Sequence, residues 1–482
     1  MIWTTASQDI LPTVPPVRRI DAAPDGLAET VAATADHLDS WTPTVAEFER
    51  VLDGLVRQAH RDRVALVVAL WEAVGHRYAE EETEAHRLSG VDVVVATLLS
   101  RVPGYSLRPD RVRRSKGHEE CAQGGLELVL AARMREIGYA LLCGHLLPFP
   151  LATPTWDTGA LDAAELVERL AEYRRHGARP GPVDFGQALL RVRRPDPAAA
   201  RAAARLGTDE GDRLAAWLGP DGGPGVPVRR VVAPDPGAHR AWTRAGTTVP
   251  QVVLASGRRP LLPAEFPEAF HWLDRPHEGF TRCYHWHAGH AIRAAVLPED
   301  RDTQAGWLLP GVTLAATAGD HGGSWMLPHL ARLGGPAGPG LHAAVAAGLG
   351  GRYPDDRAPA VEALLVLAAR GELDVVLLGR ELAAMVALGT VKPNRLAEAA
   401  RSAAAAGAYA TVWAVLAEVL PAVLPSVRGA GEVLAVAADC AERSGARGPV
   451  PAALATAAAR SGSSRTVTEA RRLRAALTQP RP

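Results

Sequence analysis

Residues 394–424 read NRLAEAARSAAAAGAYATVWAVLAEVLPAVL, and their pattern is the clearest structural signal in the chain. Alanine and leucine recur at three- and four-residue steps on both sides of Gly407, which is the spacing of an α-helix with an apolar face. A glycine after a helix supplies a left-handed C-terminal cap. The stretch therefore predicts two helices, over 394–406 and 408–424, that pack as an antiparallel pair around Gly407.

The same pattern continues through the last third of the chain. Short breaks with glycine or proline separate segments of three or four turns, and proline starts several of the following turns. These segments predict helices over 358–370, 373–388, 394–406, 408–424, 431–443, 450–460 and 466–477. Because no single pair can bury its apolar face alone, the pairs must stack. The predicted fold class is mainly α, an irregular α-solenoid of stacked helix pairs without a strict sequence repeat.

Composition divides the chain into four parts. Residues 1–43 are predicted to be an irregular, proline-containing N-terminal arm, and residues 44–218 an N-terminal helical domain. Residues 219–290 begin with the linker GPDGGPGVP and continue as an irregular insert. Valine-rich stretches favour a small hairpin in the part of this insert that spans 228–282. Residues 291–482 are predicted to form a C-terminal helical-repeat domain.

Length and charge exclude several classes of function. At 482 residues the chain is long enough for two or three domains or for one elongated array. Its formal net charge is zero, so no overall field attracts it to nucleic acid or to an anionic membrane. Lys116 and Lys392 are the only lysines, while arginine and alanine are abundant, a bias typical of a very GC-rich bacterial genome. Arginine-rich stretches are therefore weaker functional signals here than elsewhere.

Cysteine usage and the N-terminus favour a cytoplasmic protein. The four cysteines are far apart and form no CxxC pair, which is typical of reduced thiols rather than a disulfide scaffold. Residues 1–19 lack the basic start and apolar run of a secretory signal. Residues 403–424 come nearest to a membrane span, but Glu418 and Pro421 favour a buried repeat helix. We expect no association with a membrane.

Two stretches resemble a known family. One is LATPTWDTGALDAAELVERL at 151–170, and the other spans 340–477, includes GTVKPNRLAEA and ends in EARRLRAAL. Both are similar to an uncharacterised actinobacterial family of helical-repeat proteins, and the resemblance implies a HEAT-like helical fold. It also implies a protein partner encoded by a neighbouring gene, such as a MoxR-type ATPase, a von Willebrand A-type protein or a SWIM zinc-finger protein. The family assigns no active-site residues, so none is transferred.

The stretch HWLDRPHEGFTRCYHWHAGH at 271–290 is the strongest chemical candidate. Imidazole and thiolate are the ligands that zinc prefers, and four of them complete a closed site. The hypothesis is a zinc site formed by Cys283, His285, His287 and His290, in a metal-binding protein or a metal-dependent enzyme. However, the C-x-H-x-H-x-x-H spacing matches no standard zinc module. The alternative is an aromatic packing segment with its histidines at the surface.

Basic clusters raise a nucleic-acid hypothesis. Arginines suited to phosphate contacts lie in the predicted loop at 108–116, and further clusters lie at 191–194 and 471–474. Aromatic residues for base stacking are missing between them. Because the net charge is zero, we interpret the clusters as solvated faces and keep nucleic-acid binding through 108–116 as a further alternative.

Catalytic signatures are weak. DHGGS at 320–324 resembles the oxyanion loop of esterases, but no G-x-S-x-G nucleophile elbow accompanies it, and we interpret Ser324 as a helix N-cap. No Walker A or dinucleotide-binding glycine loop occurs. An enzyme is therefore less favoured than a binding protein. The first hypothesis is a protein–protein interaction or scaffold protein that binds a partner through its helical-repeat surface.

Overall fold

The computed structural model describes residues 8–78, 83–108, 123–145, 147–220, 228–234, 250–256, 262–274, 290–319, 321–424 and 428–478. These residues form α-helices, short 3-10 helices and one two-stranded hairpin, so the fold is mainly helical, as predicted. The helices of the N-terminal unit are α1 (Leu27–Asp39), α2 (Val45–Val74), α3 (Asp92–Leu98), α4 (Gln123–Leu142), α5 (Ala163–Arg175), α6 (Pro182–Arg191), α7 (Pro197–Ala204) and α8 (Asp209–Trp217). Three 3-10 helices lie between them, at Gly75–Tyr78, Ala85–Arg87 and Gly104–Leu107.

Local sequence explains where α2 begins and bends. The Thr44 hydroxyl accepts from the Glu47 amide, and the Glu47 carboxylate accepts from the Thr44 amide, which is a capping box. Asp62 interrupts α2 with extended backbone, and its carboxylate caps the second half by accepting from the Ala65 amide at 3.0 Å. The helix over 45–74 therefore consists of two straight parts joined at Asp62.

Helix α1 corrects the prediction of an irregular arm over 1–43. Residues 27–39 are helical because their apolar side chains, including Leu27 and Val31, pack on the core that α2 contributes. Thr30 and Thr34 are buried on the same helix, and each donates its hydroxyl to the carbonyl four residues earlier. Among the described residues of the predicted arm, 8–26 and 40–43 lie outside helices.

A network of buried ion pairs joins three helices of the N-terminal unit. Arg133 of α4 donates to the Glu49 carboxylate of α2 at 2.8 and 3.0 Å and to Asp184 of α6 at 2.8 Å. Arg191, at the end of α6, lies 2.7 Å from Glu49, and all four side chains are buried. Burial disfavours the charged forms, but the opposite charges outweigh it. As a result, the pKa of Glu49 is lowered and the pKa of Arg133 is raised.

Arg191 is buried, which corrects the prediction that the cluster at 191–194 is a solvated face. Its guanidinium donates to the carbonyls of Ala295 at 2.9 Å and Ala152 at 2.7 Å, because a buried arginine needs acceptors for its N–H groups. Gln187, one turn earlier, donates to the Val296 carbonyl at 2.7 Å. These bonds hold the segment after α9 (His290–Ala294) against α6. Burial lowers the pKa of Arg191 to about 10.

The insert contains the expected hairpin. Strands β1 (Val228–Pro234) and β2 (Pro250–Ser256) pair antiparallel, with Val231 opposite Val253. β2 packs on α10 (Arg301–Thr317), and a 3-10 helix at Glu268–Asp274 packs on α4. Of the insert over 219–290, residues 221–227, 235–249, 257–261 and 275–289 lie outside the described residues.

The C-terminal helical-repeat domain starts with α10 and continues as consecutive helices joined by short turns. They are α11 (Leu327–Arg332), α12 (Pro339–Leu349), α13 (Pro354–Ala369), α14 (Val375–Ala387), α15 (Pro393–Ala405), α16 (Tyr409–Val423), α17 (Ala430–Ser444), α18 (Ala452–Ala459) and α19 (Arg465–Thr478). Each helix predicted over 358–477 is confirmed, with ends that agree to within about one turn. The largest difference is at α13, which starts early because Pro354 occupies its first turn.

Even- and odd-numbered helices of this domain form two layers. Helices α10, α12, α14 and α16 pack in order in one layer, and α11, α13, α15, α17 and α19 pack in order in the other. Contacts between helices two apart in the sequence are the mark of stacked helical pairs. Small residues permit this close stacking. At Gly379 of α14, for example, a Cβ would lie 2.4 Å from the Cβ of Glu418 in α16.

A buried histidine ties α14 to α12. The Nδ1 of His342 lies 2.9 Å from the Gly338 carbonyl, and its Nε2 accepts from the Asp374 amide at 3.0 Å, just before α14. Because Nε2 must be unprotonated to accept, the ring is neutral. Burial lowers the pKa of His342, against the raising effects of the Gly338 carbonyl and the charges of Asp374 and Asp302.

Ion pairs on the surface join neighbouring helices of the odd-numbered layer. They are Arg332–Glu362, Arg357–Glu398, Arg401–Glu432, Arg465–Glu432 and Arg472–Glu442. Each of these pairs keeps at least one side chain that is 30% or more exposed. Each of these ion pairs therefore remains in contact with water while the apolar faces of the helices pack.

No helix within the described residues is both long and apolar enough to cross a membrane. Residues 403–424, the most span-like stretch of the sequence, end α15 and form α16 instead.

Candidate protein-binding edge of the helical repeats

Residues 8–20 form an extended segment, here called the N-terminal strap, that lies along one edge of the helical repeats. Its Asp9 carboxylate accepts from the amides of Ala410 at 2.6 Å and Thr411 at 2.9 Å, in the first turn of α16. The N-cap residue of α16 is Ala408, which has no side-chain acceptor. Asp9 therefore acts as the cap of a helix that begins 400 residues later and places its negative charge at the positive end of the helix dipole.

A glycine makes this approach possible. The Ile10 amide donates to the Gly407 carbonyl at 3.2 Å, and Gly407 has a φ of +101. A Cβ at position 407 would lie only 2.0 Å from the Ile10 carbonyl oxygen. The turn between α15 and α16 thus requires glycine twice, for its backbone conformation and for the close passage of the strap.

Beyond Asp9, apolar side chains of the strap contact the repeats. Leu11 and Val14 are partly buried against the main core of the repeats, whereas Ile10 is 85% exposed. A cavity of about 440 Å³ remains between strap residues and the end of α13 at Ala369 and Arg370. The strap is therefore held by two anchoring side chains and a capping carboxylate, with incomplete packing between them.

The other end of the strap joins the N-terminal unit. The Ile20 amide donates to the Thr155 carbonyl, and the Asp157 amide donates to the Arg18 carbonyl, both at 2.9 Å. The Arg19 guanidinium donates to Glu165 of α5 at 2.7 Å. The strap consequently runs from α16 to the segment that precedes α5, which is the start of the stretch compared above with a known family.

The surroundings of Asp9 also affect a cysteine. Cys440 of α17 is buried, and burial, with smaller effects from the charges of Asp439 and Asp9, raises the pKa of its thiol to about 12. A thiol with so high a pKa stays protonated at neutral pH and is a poor nucleophile. This edge is consequently suited to binding an extended chain through a carboxylate and apolar side chains, and not to thiol chemistry.

Most of the predicted zinc site lies outside the described residues. Cys283, His285 and His287 belong to that part, and His290 is described only as the first residue of α9. His271, earlier in the same stretch, is partly buried, and its Nε2 lies 2.9 Å from the Phe266 carbonyl. Within the described ranges, no three potential ligands lie together. The zinc hypothesis stays a prediction.

The predicted basic loop has the same standing. Of residues 108–116, only Arg108 is described, and it is exposed. The cluster at 471–474 is exposed and partly paired, since Arg472 donates to Glu442 and Asp439 of α17. Nucleic-acid binding through 108–116 therefore remains a prediction as well.

The esterase-like stretch at 320–324 shows a different arrangement from the one we predicted. His321 is 64% exposed and stacks on the Tyr353 ring at 4.1 Å, while Asp320 lies outside the described residues. Ser324 is not a helix N-cap, because α11 begins only at Leu327 and its N-cap is Met326. The Ser324 hydroxyl is buried among the repeats instead.

Sequence reasoning missed the residues that build the edge. Asp9 lies in an arm that the sequence marks only by its prolines, and Gly407 has the appearance of an ordinary helix cap. The one available signal is that α16 begins at Tyr409 without an Asp, Ser, Thr or Asn before it. The unpaired amides at the start of a helix without a local cap can be capped by a residue from elsewhere in the chain.

Comparison with known proteins shows a similarity for part of the chain. Residues 21–247 match a family described as a domain of unknown function (DUF7824), which is just under half of the 482 residues. The match includes 151–170, one of the two stretches that resemble an uncharacterised family, and does not include 340–477. No curated protein and no solved structure matches the chain.

Proposed function

We propose that the chain is a protein-binding scaffold and that the edge under the N-terminal strap receives an extended segment of a partner protein. The observation that supports this proposal is the seat of the strap itself. An extended stretch already lies there, with Asp9 at the start of α16 and Leu11 against the core of the repeats. Helical-repeat proteins bind other chains along such extended surfaces.

The strap is weakly enough held to be exchanged. Between residues 9 and 17 it has the carboxylate contacts of Asp9, one backbone hydrogen bond and the apolar side chains of Leu11 and Val14 against the core, and a cavity remains beside it. Segments with few buried contacts open at low free-energy cost. A competing segment would carry an acidic residue followed by apolar residues two and five positions later, in the pattern of Asp9, Leu11 and Val14.

A peptide-binding measurement tests the proposal. A labelled peptide QDILPTVPPVRRI, residues 8–20, is titrated into a variant that lacks residues 1–20, and its binding is followed by fluorescence anisotropy. We expect saturable binding, about fivefold weaker for the same peptide with Asp9→Ala, since a cap contributes about 1 kcal/mol. The full-length protein, whose own strap occupies the edge, should bind the peptide more weakly than the truncated variant.

The matched peptide pair makes the result decisive. If the Asp9→Ala peptide binds as tightly as the original, or if neither binds a truncated protein whose circular dichroism matches that of the full chain, the edge is not a peptide site. A partner purified from the host with the truncated variant must also be displaced by the original peptide and not by the Asp9→Ala peptide. A partner that both peptides leave bound would contradict the proposed surface.

The finer parts of the proposal rest on the resemblance and on composition. The partner we propose is the product of a neighbouring gene, a MoxR-type ATPase, a von Willebrand A-type protein or a SWIM zinc-finger protein. We propose that the two proteins meet in the cytoplasm and that the chain is an actinobacterial helical-repeat protein of the HEAT-like kind.

A further inference from the structure

Helix α4 has two faces with different surroundings. One face carries Arg133 into the buried ion-pair network. The other lines a cavity of about 1030 Å³ through the stripe Gly124, Glu127, Leu128, Ala131 and Arg135. These residues recur at three- and four-residue steps, so they share one side of the helix. The opposite walls come from the end of α1, from the 3-10 helices at 85–87 and 104–107 and from α9.

Arg135 is the unusual group in this cavity. Its side chain belongs to a residue only 5% exposed, and its Nε is enclosed without an acceptor. Within the part of the chain that the structure describes, Arg135 makes no hydrogen bond and no ion pair. Burial alone lowers its pKa. An enclosed guanidinium without a counter-charge is costly, so a site that retains one is organised to receive an anion.

The other charged groups around the cavity already have interactions. Asp92 accepts from the Tyr78 hydroxyl at 2.7 Å, and Glu84 lies 2.8 Å from His86. Glu127 and Arg293 each take part in an interaction of their own. None of these groups therefore neutralises Arg135, and the acidic side chains would repel a ligand with several negative charges.

The walls favour a ligand with an apolar body. Phe48, Val91, Leu128 and Ile292 are buried and line the cavity. Two aromatic side chains lie at its exposed margin, Trp41 at 92% exposed and Tyr105 at 58%. A cavity of about 1030 Å³ is at the upper end of the range that holds small organic ligands.

We propose that this cavity binds a small organic monocarboxylate with an aromatic or aliphatic body, and that its carboxylate pairs with Arg135. A planar guanidinium matches a carboxylate with two parallel hydrogen bonds. The apolar walls contact the body of the ligand. A single negative charge satisfies Arg135 without bringing further charge towards Asp92 and Glu127.

Ligand-observed NMR on the full chain tests the proposal with three probes: indole-3-acetate, benzoate and octanoate. Each is compared with its own carboxamide, which has the same body without the charge. We expect at least one carboxylate to bind with a dissociation constant on the order of 1 mM or tighter. That carboxylate should bind about tenfold more tightly than its amide, because a charge-assisted pair is lost in the amide.

The variant Arg135→Met should abolish this preference, so that acid and amide bind alike. Arg201→Met on α7, which removes an exposed arginine remote from the cavity, is the matched control and should bind as the wild type does. Thermal unfolding of both variants separates binding from folding. Arg135→Met should unfold no earlier than the wild type, because it removes a guanidinium that has no partner.

Several results would overturn the site. No preference for any of the three acids over its amide would exclude recognition of the charge. A clear loss of thermal stability in Arg135→Met would assign Arg135 a structural role. Displacement of the carboxylates by inorganic phosphate at the same concentration would indicate a general anion site without a contribution from the apolar walls.

Discussion

The N-terminal unit and the odd-numbered layer of the helical repeats differ in how deeply they bury the ion pairs between their helices. In the N-terminal unit, Arg133 pairs with both Glu49 and Asp184, and all three side chains are buried. In the odd-numbered layer of the repeats, the pairs between helices, such as Arg472–Glu442, remain open to water. Arginine–carboxylate pairs therefore join helices in the interior of the N-terminal unit, whereas each pair named between helices of the odd-numbered layer keeps a partner exposed to water.

This difference follows from the side chains that each region packs between its helices. The repeats stack their helices mainly through alanine and leucine, with a few polar contacts such as the one between His342 and the Asp374 amide. The N-terminal unit joins α2, α4 and α6 at one point, where buried charges accept only one arrangement of partners. Charges in an interior contribute more to specificity than to stability, since desolvation offsets much of their attraction. We expect the two regions to respond very differently when a charge is removed.

The largest effect should come from Arg133→Met. This change leaves the buried Asp184 carboxylate without its guanidinium and Glu49 with Arg191 as its remaining cation, and removing one member of such a network costs about 3–5 kcal/mol. The free energy of unfolding, measured by urea denaturation, should fall by that amount. The matched control is Arg135→Met, on the same helix and equally enclosed but without a partner. Equal losses for the two variants would contradict the difference between the two faces of α4.

A smaller effect, which depends on pH, should come from His342. Burial lowers the pKa of its imidazole in the folded state, so below the ordinary pKa of about 6.5 the unfolded chain takes up a proton that the folded chain resists. Its contribution to stability is thus present above that pH and is lost as the pH falls below it. The slope is at most about 1.4 kcal/mol per pH unit.

The variant His342→Gln isolates this contribution. Because glutamine does not titrate, the difference in unfolding free energy between wild type and variant should change between pH 7 and pH 5, about the range where histidine titrates. Other groups contribute equally to both proteins and cancel. A difference that is constant over this range would show that the His342 ring does not stay neutral in the folded state.

The smallest effect should come from Arg472→Ala in the exposed layer. Its side chain is 40% exposed, and pairs of this kind contribute about 1 kcal/mol or less. Stability measured in urea should fall slightly, and added salt should reduce the loss, because exposed charges are screened. Arg474→Ala removes an exposed arginine of α19 and serves as the reference. A loss as large as that of Arg133→Met would remove the contrast between the two regions.

The helices of the repeats could be predicted because their signals are local. Gly371, Gly389, Gly407 and Gly445 have positive φ at or just after helix ends, and the periodicity of alanine and leucine between them is visible in any short window. The hairpin was also visible, since its strands are rich in valine. The helix over 27–39 could not be predicted, because it depends on packing against α2 rather than on its own composition.

The sites could not be predicted because their residues meet only in the folded chain. Glu49, Arg133 and Arg191 are separated by long stretches, and in a sequence rich in arginine nothing marks two of its arginines as buried. Arg133 and Arg135 differ only by a rotation of about 200° around the same helix. Asp9 and the start of α16 likewise have no connection in the sequence.

The contact between Asp9 and the first turn of α16 can form only late in the synthesis of the chain. Asp9 leaves the ribosome 401 residues before its hydrogen-bond donor, the amide of Ala410. At about 5–20 residues per second, it then waits roughly 20–80 s for that helix to appear. During this interval the strap has no seat on the nascent chain. The strap is therefore made long before α16 but can reach its place only after that helix exists, so the edge of the repeats is vacant when it is newly formed.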